Sequence, residues 1–371
     1  MKNIRKFLQK LFKSFTIFIF FILYGKINSI IKNSTNNNRI KKQQVKFSAE
    51  NLYSVYTISK GRLYTDTIHD TAVLLDNSLI EGPSFQLRNN NNANIEENSV
   101  LKKGTPRIKR KFKGKVLSLL TGGGGNSNYW HWLLDVLPRL AIINKLVDLN
   151  NIDYFLVPSH RKRFQKETLE ELGIPKSKIL SSESIRHLSS DQIITTDHPY
   201  VLTNNQFKDM QDIPKWILNW LKDKFNKYTL PNSKENFKKI YIDRSDATKN
   251  HQELRSINNE YKIKEYLIKK GYKPVRLSDF HFTDQVSLFA NATDIIGLHG
   301  AGFVNLIFCR PKTKIIEFKV KTTGNVIGNL ATKNNLNYDH ILGETNDPGS
   351  FAQQGNMYIN LNTLKKKLND K

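Results

Sequence analysis

With 371 residues, 39% of them hydrophobic, the chain is long enough for two α/β domains that each bury a core. Its single cysteine, Cys309, excludes an internal disulfide and a cysteine-based zinc site, and suits a reducing compartment. The formal net charge of +25 favours an anionic partner such as nucleic acid, anionic lipid or a phosphorylated substrate, although compositional drift toward Lys, Asn and Ile accounts for part of it.

The first 50 residues form a basic leader with an apolar centre. They hold eleven Lys and Arg residues against one acid, Glu50, and they enclose the ten-residue apolar run Phe15–Tyr24. A spanning helix needs about 20 apolar residues, and no small-residue cleavage pattern follows the run. The pattern favours a helix lying in an anionic membrane surface, with a single span or a disordered leader as alternatives. We therefore expect a protein at the cytoplasmic face of a membrane, either peripheral or held by one N-terminal anchor.

Between residues 33 and 230 a polar stretch gives way to predicted strands and then to strands that alternate with helices. The Asn-rich stretch Asn33–Gln44 predicts a flexible tether. Residues 52–88 predict short strands with turns at Lys60-Gly61 and Asp76-Asn77. Strands and helices then alternate: Val116–Leu120, Tyr154–Val157 and Asp191–Thr196 as strands, and Tyr129–Leu146, Phe164–Leu172 and Pro214–Tyr228 as helices.

The second half repeats this rhythm after a polar linker, Thr229–Lys239. Its predicted elements are the strands Lys239–Asp243, Val275–Leu277, Ile295–Leu298 and Lys314–Phe318, and the helices Asn258–Lys270, Thr283–Asn291 and Ala301–Phe308. Such alternation predicts parallel sheets covered by helices. The predicted fold class is therefore α/β. The predicted domain organisation is a leader and tether over 1–45, an N-terminal domain over 46–230, a C-terminal nucleotide-binding domain over 231–345 and a tail over 346–371.

A strand-to-helix turn in the second half predicts an anion site. The run Asp294–Asn305 passes from a buried strand through His299, Gly300 and Gly302 into a helix. Glycines admit a ligand close to the backbone, and the free N–H groups of a helix start attract a phosphate. The alternative is a tight turn with no ligand.

Three further side chains lie at or near strand ends in the same half. Glu317 ends a buried strand, where a carboxylate can accept hydrogen bonds from ribose hydroxyls, or is simply a solvated strand end. Arg244 follows another strand and can clamp a diphosphate with two hydrogen bonds. Arg255 precedes a helix; for either arginine, the alternative is a surface ion pair.

The first half offers one dense polar stripe on an apolar helix. His131, Asp135 and Arg139 recur every four residues, so they share a face. The His–Asp pair predicts either a structural clamp or a general base with its orienting partner. The preceding Gly122–Gly125 resembles a phosphate cradle but lacks the Lys-Ser/Thr of a P-loop. No D-x-D motif is present, so the sequence indicates no metal site.

Taken in order, these stretches resemble glycosyltransferase family 61 over residues 50–345. The resemblance rests on Tyr129–Arg139, Tyr241–Ser245, Arg255–Glu260, Asp284-Gln285, His299–Gly302, Asn305, Phe308 and Ile315–Glu317. It implies an inverting transferase of GT-B architecture, two Rossmann-type domains facing across a cleft, with a UDP-sugar donor. One departure is Phe303-Val304, where family members often have Leu-Thr, which alters the pocket wall.

The resemblance also implies a division of roles between the two domains. Arg244, Arg255, His299, Gly300, Ala301, Gly302, Asn305 and Glu317 would hold the donor, with the backbone and Arg244 on the pyrophosphate and Glu317 on the ribose. Asp135 or His131 would be the base that takes the proton from a hydroxyl of a glycan or glycoconjugate acceptor. The reaction would serve cell-surface polysaccharide synthesis and would need no metal or other cofactor. The alternatives are a non-catalytic nucleotide-sugar-binding protein and a nucleic-acid-binding protein. The latter is disfavoured because the basic residues concentrate in the leader.

Overall fold

A computed structural model of the protein describes residues 2–33, 35–65, 71–84, 87–88, 91–92, 95–121, 127–201, 203, 205–230, 237–245, 255–345 and 355–369. The chain divides into two compact units, unit 1 over Met1–Asp209 and unit 2 over Met210–Lys371. The predicted boundary at residue 230 had assigned the helix Lys215–Phe225 to the N-terminal domain, whereas this helix belongs to unit 2.

Unit 1 is built on a mixed ten-stranded sheet. Its strands are Ser29–Ile31, Ile40–Lys46, Leu52–Ser59, Arg62–Tyr64, Ala72–Leu75, Ser78–Ile80, Arg110–Ser118, Tyr154–Val157, Ile179–Ser181 and His187–Thr196. The strand Arg110–Ser118 pairs in parallel with Tyr154–Val157 and with His187–Thr196, as the alternating pattern predicts. His187–Thr196 also pairs antiparallel with Leu52–Ser59 and Arg62–Tyr64, so the sheet is only partly of the predicted parallel kind.

The helices of unit 1 include the leader and several short segments. They are Lys2–Tyr24, Ser99–Lys103, Tyr129–His131, Trp132–Val136, Pro138–Asn144 and Arg163–Glu171; Gln206–Met210 follows at the boundary. Single 3₁₀ turns cover Ile95–Glu97, Leu149–Asn151 and Lys176–Lys178, and a separate hairpin pairs Leu87–Arg88 with Asn91–Asn92. Among the described residues, Lys2–Tyr24 is long and apolar enough over Ile4–Tyr24 to cross a membrane, which is compatible with an anchor or a signal.

The predicted tether is wrong, because much of it belongs to the sheet. Ile40–Lys46 pairs antiparallel with Leu52–Ser59 along its whole length, and Val45 points inward and is buried. Upstream, Ile27 is buried and Ser29–Ile31 pairs with Ser78–Ile80. The polar composition concealed the strand because Ile40–Lys46 pairs with one strand only and most of its side chains stay in solvent.

The predicted helix Tyr129–Leu146 is interrupted by a wider turn. Trp132–Val136 is a π-helix, in which the Leu137 N–H donates to the Trp132 carbonyl at 3.1 Å. Pro138 follows at once and begins the helix Pro138–Asn144. A proline has no N–H and its ring crowds the carbonyl four residues earlier, so the wider turn relieves that conflict.

Unit 2 contains a five-stranded parallel sheet. In chain order its strands are Lys239–Ile242, Lys273–Val275, Asp294–Leu298, Lys314–Lys319 and Asn337–Leu342, and in space they run second, first, third, fourth, fifth. Its helices are Lys215–Phe225, Glu260–Lys269, Phe282–Asn291, Val326–Lys333 and Leu361–Lys367, with 3₁₀ segments at Asn226–Tyr228, Leu277–Asp279 and Ala301–Phe308. Ile263, Leu267 and Leu364 pack with strand residues in one apolar cluster, so helices cover this face of the sheet.

Candidate functional site

The strand order of unit 2 selects one place at its edge for a ligand. The first strand has the second on one side and the third on the other, so their connections leave in opposite directions. In open parallel sheets, ligands bind at the carboxyl ends of the strands at such a switch point. Arg244 follows the first strand by two residues, and His299 follows the third strand directly. Two predicted donor-binding residues therefore flank the switch point.

Two guanidinium groups converge on one carbonyl oxygen there. Arg244 Nη1 donates to the His299 oxygen at 2.6 Å, and Arg255 Nη1 donates to the same oxygen at 3.2 Å. Burial, together with the positive charge of Arg244, lowers the pKa of Arg255 to about 10. Because two like charges repel in a partly buried site, this arrangement favours an anion beside them.

Gly300 is the residue that admits the Arg244 side chain. A Cβ atom at this position would lie 3.1 Å from Arg244 Nη1 and 3.2 Å from its central carbon. A residue with a Cβ would require the guanidinium to shift slightly. At position 302 a glycine is needed for a different reason. A Cβ there would lie 2.6 Å from Leu277 Cδ1, so Gly302 allows close packing against Leu277. Ala301 begins the 3₁₀ segment, whose first N–H groups have no partner within the segment.

The His299 imidazole is fixed by a buried carboxylate. Its Nδ1 donates to Glu317 Oε1, and Tyr338 donates its hydroxyl to Glu317 Oε2. Lys319 Nζ lies 3.8 Å from the same Oε2 atom. Burial lowers the pKa of His299 below its usual 6.5, and the charges of Arg255 and Arg244 also lower it, against the opposing effect of Glu317. His299 is therefore neutral near pH 7, with its proton on Nδ1.

This geometry favours a supporting role for Glu317 over the predicted contact with a ribose. The residue is completely buried, and both of its oxygens have protein partners. The available acceptor is His299 Nε2, which has no hydrogen-bond partner among the described residues. The sequence did not predict Tyr338 or Lys319 as partners of Glu317; Tyr338 reaches it from the neighbouring strand.

Asn305 is also part of the scaffold rather than of the ligand surface. Its side chain is fully buried and donates to Gln285 Oε1 at 3.0 Å. Gln285 in turn donates to the Leu277 carbonyl at 2.9 Å. This chain of hydrogen bonds ties the 3₁₀ segment to the helix Phe282–Asn291 and so fixes the loop that follows His299.

Unit 1 holds a second histidine–carboxylate pair. His131 Nδ1 donates to Asp135 Oδ2 at 2.9 Å across one turn. The Asp135 side chain is fully buried, whereas 17% of the His131 side chain is exposed. Although burial favours the neutral forms of both groups, their mutual attraction dominates: the pKa of Asp135 falls well below its usual range, and that of His131 rises above 6.5. Asp135 Oδ1 is buried and has no hydrogen-bond partner in the described part of the chain.

A second histidine, His198, lies on the other side of the same carboxylate. Its Nδ1 accepts the backbone N–H groups of Tyr200 and Val201, and its Nε2 lies 3.5 Å from Asp135 Oδ2. Because Nδ1 accepts, the proton of neutral His198 is on Nε2 and points at Asp135; burial lowers the pKa of His198 and so favours this neutral form. The sequence analysis missed His198. Its position just past the carboxyl end of the strand His187–Thr196 was the available signal.

The remaining predicted features of this stretch are either structural or not described. Arg139 is fully buried and donates to Thr195 Oγ1 at 2.8 Å, which ties the helix to the sheet. Gly122–Gly125 lies outside the described residues. Within those residues, no group of three or more His, Cys, Asp or Glu side chains is arranged to hold a metal ion.

Comparison with known proteins identifies a family. The family model described as Glycosyltransferase 61 matches residues 129–316, which cover the His131–Asp135 pair as well as Arg244, Arg255 and His299. No curated protein matches the chain.

Proposed function

The chain belongs to the glycosyltransferase 61 family and is a glycosyltransferase, and from this premise we propose that it transfers a sugar from a UDP-sugar to a hydroxyl group with inversion. The observation that carries the proposal is the convergence of Arg244 and Arg255 on the His299 carbonyl at the switch point. A diphosphate is the anion that two adjacent guanidinium groups suit best.

In the proposed donor site, unit 2 binds the nucleotide. The diphosphate is neutralised by Arg244, Arg255 and the first N–H groups of Ala301–Phe308. These groups take the place of a metal ion. His299 Nε2 accepts a hydrogen bond from a ribose hydroxyl, while Glu317 fixes the ring and its tautomer. The nucleotide part of the donor would then be held by a rigid cluster.

In the proposed reaction, His131 is the general base and Asp135 its orienting partner. His131 alone of the pair reaches solvent, and its Nε2 is free of hydrogen bonds among the described residues, so it can receive the proton. The acceptor oxygen attacks the anomeric carbon as the bond from that carbon to the diphosphate oxygen breaks. UDP leaves with the bonding electron pair, the proton moves to His131, and the anomeric configuration inverts. The proposal includes the two-domain GT-B architecture.

The proposed setting is the synthesis of cell-surface polysaccharide at the cytoplasmic face of a membrane. The apolar helix Lys2–Tyr24 supports membrane association, and the acceptor would be a glycan or glycoconjugate. We expect no role for nucleic acid, because the densest group of basic residues lies in the first 50 residues and not in the α/β part of the chain.

Nucleotide binding and turnover together test the proposal. We expect UDP at a hundred times its dissociation constant to stabilise the protein by about 2.7 kcal/mol in thermal unfolding, and CDP or ADP to stabilise it less. UDP release from UDP-sugars should rise when glycan acceptors are added, and should persist in EDTA. Binding without acceptor-dependent release would favour a non-catalytic nucleotide-sugar-binding protein, and no nucleotide effect at all would contradict the assigned donor site.

A further inference from the structure

The helix Lys2–Tyr24 has one continuous apolar face. The members of this face follow alternating steps of four and three residues, so they line up along the helix. They are Ile4, Leu8, Leu11, Phe15, Phe18 and Ile22. Each is between 52% and 70% exposed, and the neighbouring Phe12 is 73% exposed, so no residue in the described part of unit 1 covers this face.

The opposite face changes character halfway along the helix. Its first residue lies two positions after Ile4, which places it about 200° around the helix axis from the apolar face. Its members follow the same steps of four and three residues. Its members are Lys6, Lys10, Lys13, Ile17, Phe20 and Tyr24. The first three are cations and exposed, whereas the last three are apolar or aromatic and partly covered.

The covered half is docked on the body of unit 1. The Tyr24 ring meets the His187 ring edge to face at 5.0 Å, and the Lys109 N–H donates to the Tyr24 hydroxyl at 3.0 Å. Phe21 lies so close to Gly104 that a Cβ there would come within 2.5 Å of its ring. The end of the helix is therefore packed against the folded body of unit 1 and is not carried on a loose linker.

This attachment leaves too little helix to cross a bilayer. The segment Lys2–Phe15 is about 21 Å long at 1.5 Å per residue, against a hydrocarbon core of about 30 Å. It also carries five cations: Lys2, Arg5, Lys6, Lys10 and Lys13. Cations are costly at the bilayer centre, so a spanning position is disfavoured by both length and charge.

We propose that Lys2–Tyr24 lies flat in the surface of an anionic bilayer, with the Ile4–Ile22 face in the acyl region and the body of unit 1 on the aqueous side. The lysines and Arg5 extend to lipid phosphates, as long basic side chains do at membrane interfaces. This inference deepens the membrane part of the proposed function and does not depend on the donor or the acceptor.

A second copy of the chain is the other conceivable occupant of the apolar face. Residues 1–49 contain no Asp or Glu, so the cations of two paired helices would find no acidic partner within those segments. The exposed apolar arc, which includes Phe7, Phe12 and Leu23, is also wider than a two-stranded seam. Both observations favour an anionic lipid surface over a helix dimer.

Fluorophores placed along the helix test the orientation. Cys309 is the sole cysteine and is buried, so a cysteine introduced at Ile4, Leu11 or Phe18 can be labelled selectively in the full chain. On vesicles of phosphatidylserine and phosphatidylcholine, quenching by lipids brominated at two depths should report the same shallow depth at all three positions. Labels at Lys6 and Lys13 should stay in the aqueous phase. A depth that changes steadily from position 4 to position 18 would overturn the proposal in favour of a span.

A matched pair of charge insertions tests the face itself. Leu11→Lys adds a cation on the apolar face, and Gln9→Lys adds the same charge about 200° away. We expect Leu11→Lys to weaken vesicle binding at least tenfold and Gln9→Lys to maintain or strengthen it, with binding that falls as salt rises. Equal losses in both variants, or self-association that buries the labels without lipid, would contradict the proposal. UDP binding measured on the same samples separates this failure from a failure of the donor site.

Discussion

His131 Nδ1 lies 2.9 Å from Asp135 Oδ2, and the two residues differ in their access to solvent: Asp135 is fully buried and His131 is not. A buried carboxylate with a strongly lowered pKa cannot meet an acceptor hydroxyl or hold its proton, whereas it can orient an imidazole and stabilise its charged form. The pair thus has the order carboxylate, histidine, solvent, which supports the proposal that His131 is the base and Asp135 its orienting partner.

The first prediction concerns the two members of this pair. His131→Ala should lower kcat by roughly 10²–10⁴-fold, the usual scale for loss of a general base, while UDP binding is retained. Asp135→Asn should lower kcat less, because the base remains but is poorly oriented. Full activity of a folded His131→Ala protein in a UDP-release assay would show that the base lies elsewhere.

A second prediction follows from the raised pKa of His131. The neutral imidazole is the active form, so kcat/KM should rise with pH and reach half its maximum above 6.5. In Asp135→Asn the attraction that raises this pKa is lost, and the midpoint should move to lower pH. Profiles of the two proteins that superimpose would contradict the coupling between His131 and Asp135.

The third prediction separates the paired arginines from other surface cations. Arg244→Ala and Arg255→Ala should each weaken UDP binding by about 1.5–3 kcal/mol, or roughly 10–150-fold, because each removes a charge-assisted hydrogen bond. Arg276 is the matched control in unit 2: it is exposed and paired with Asp279, so Arg276→Ala should leave the affinity unchanged. Calorimetry on the three folded variants decides the matter, and equal affinities throughout would remove the arginines from the site.

The fourth prediction tests whether His299 contacts the ribose. The wild-type protein should prefer UDP over 2′-deoxy- or 3′-deoxy-UDP, and His299→Ala should lose the preference for one of them. Arg244→Ala should weaken all three ligands equally, since it acts on the diphosphate. A preference that survives in His299→Ala would assign the ribose to another group.

The fifth prediction compares two truncations at the N-terminus. Removal of residues 1–15 keeps the docked helix end and both following strands, so we expect a folded protein with unchanged UDP binding. Removal of residues 1–45 deletes Ser29–Ile31 and most of Ile40–Lys46 together with buried Ile27 and Val45. This variant should be strongly destabilised or insoluble, and a cooperative melt at the wild-type temperature would show that the strands contribute little.

The sequence by itself determined the α/β class, the order of most elements from residue 110 onward and the family. It did so because strand and helix periodicities are local, and because the motifs around His131, Arg244 and His299 are short and ordered along the chain. Contacts between distant residues were decided only by the tertiary structure. Glu317 binds His299 and Tyr338, His198 lies beside Asp135 although the two are 63 positions apart in the chain, and Ile40–Lys46 becomes a strand through its partner. The physical reason is the same in each case: burial and hydrogen-bond partners depend on which strands become neighbours, and composition and spacing do not encode that pairing.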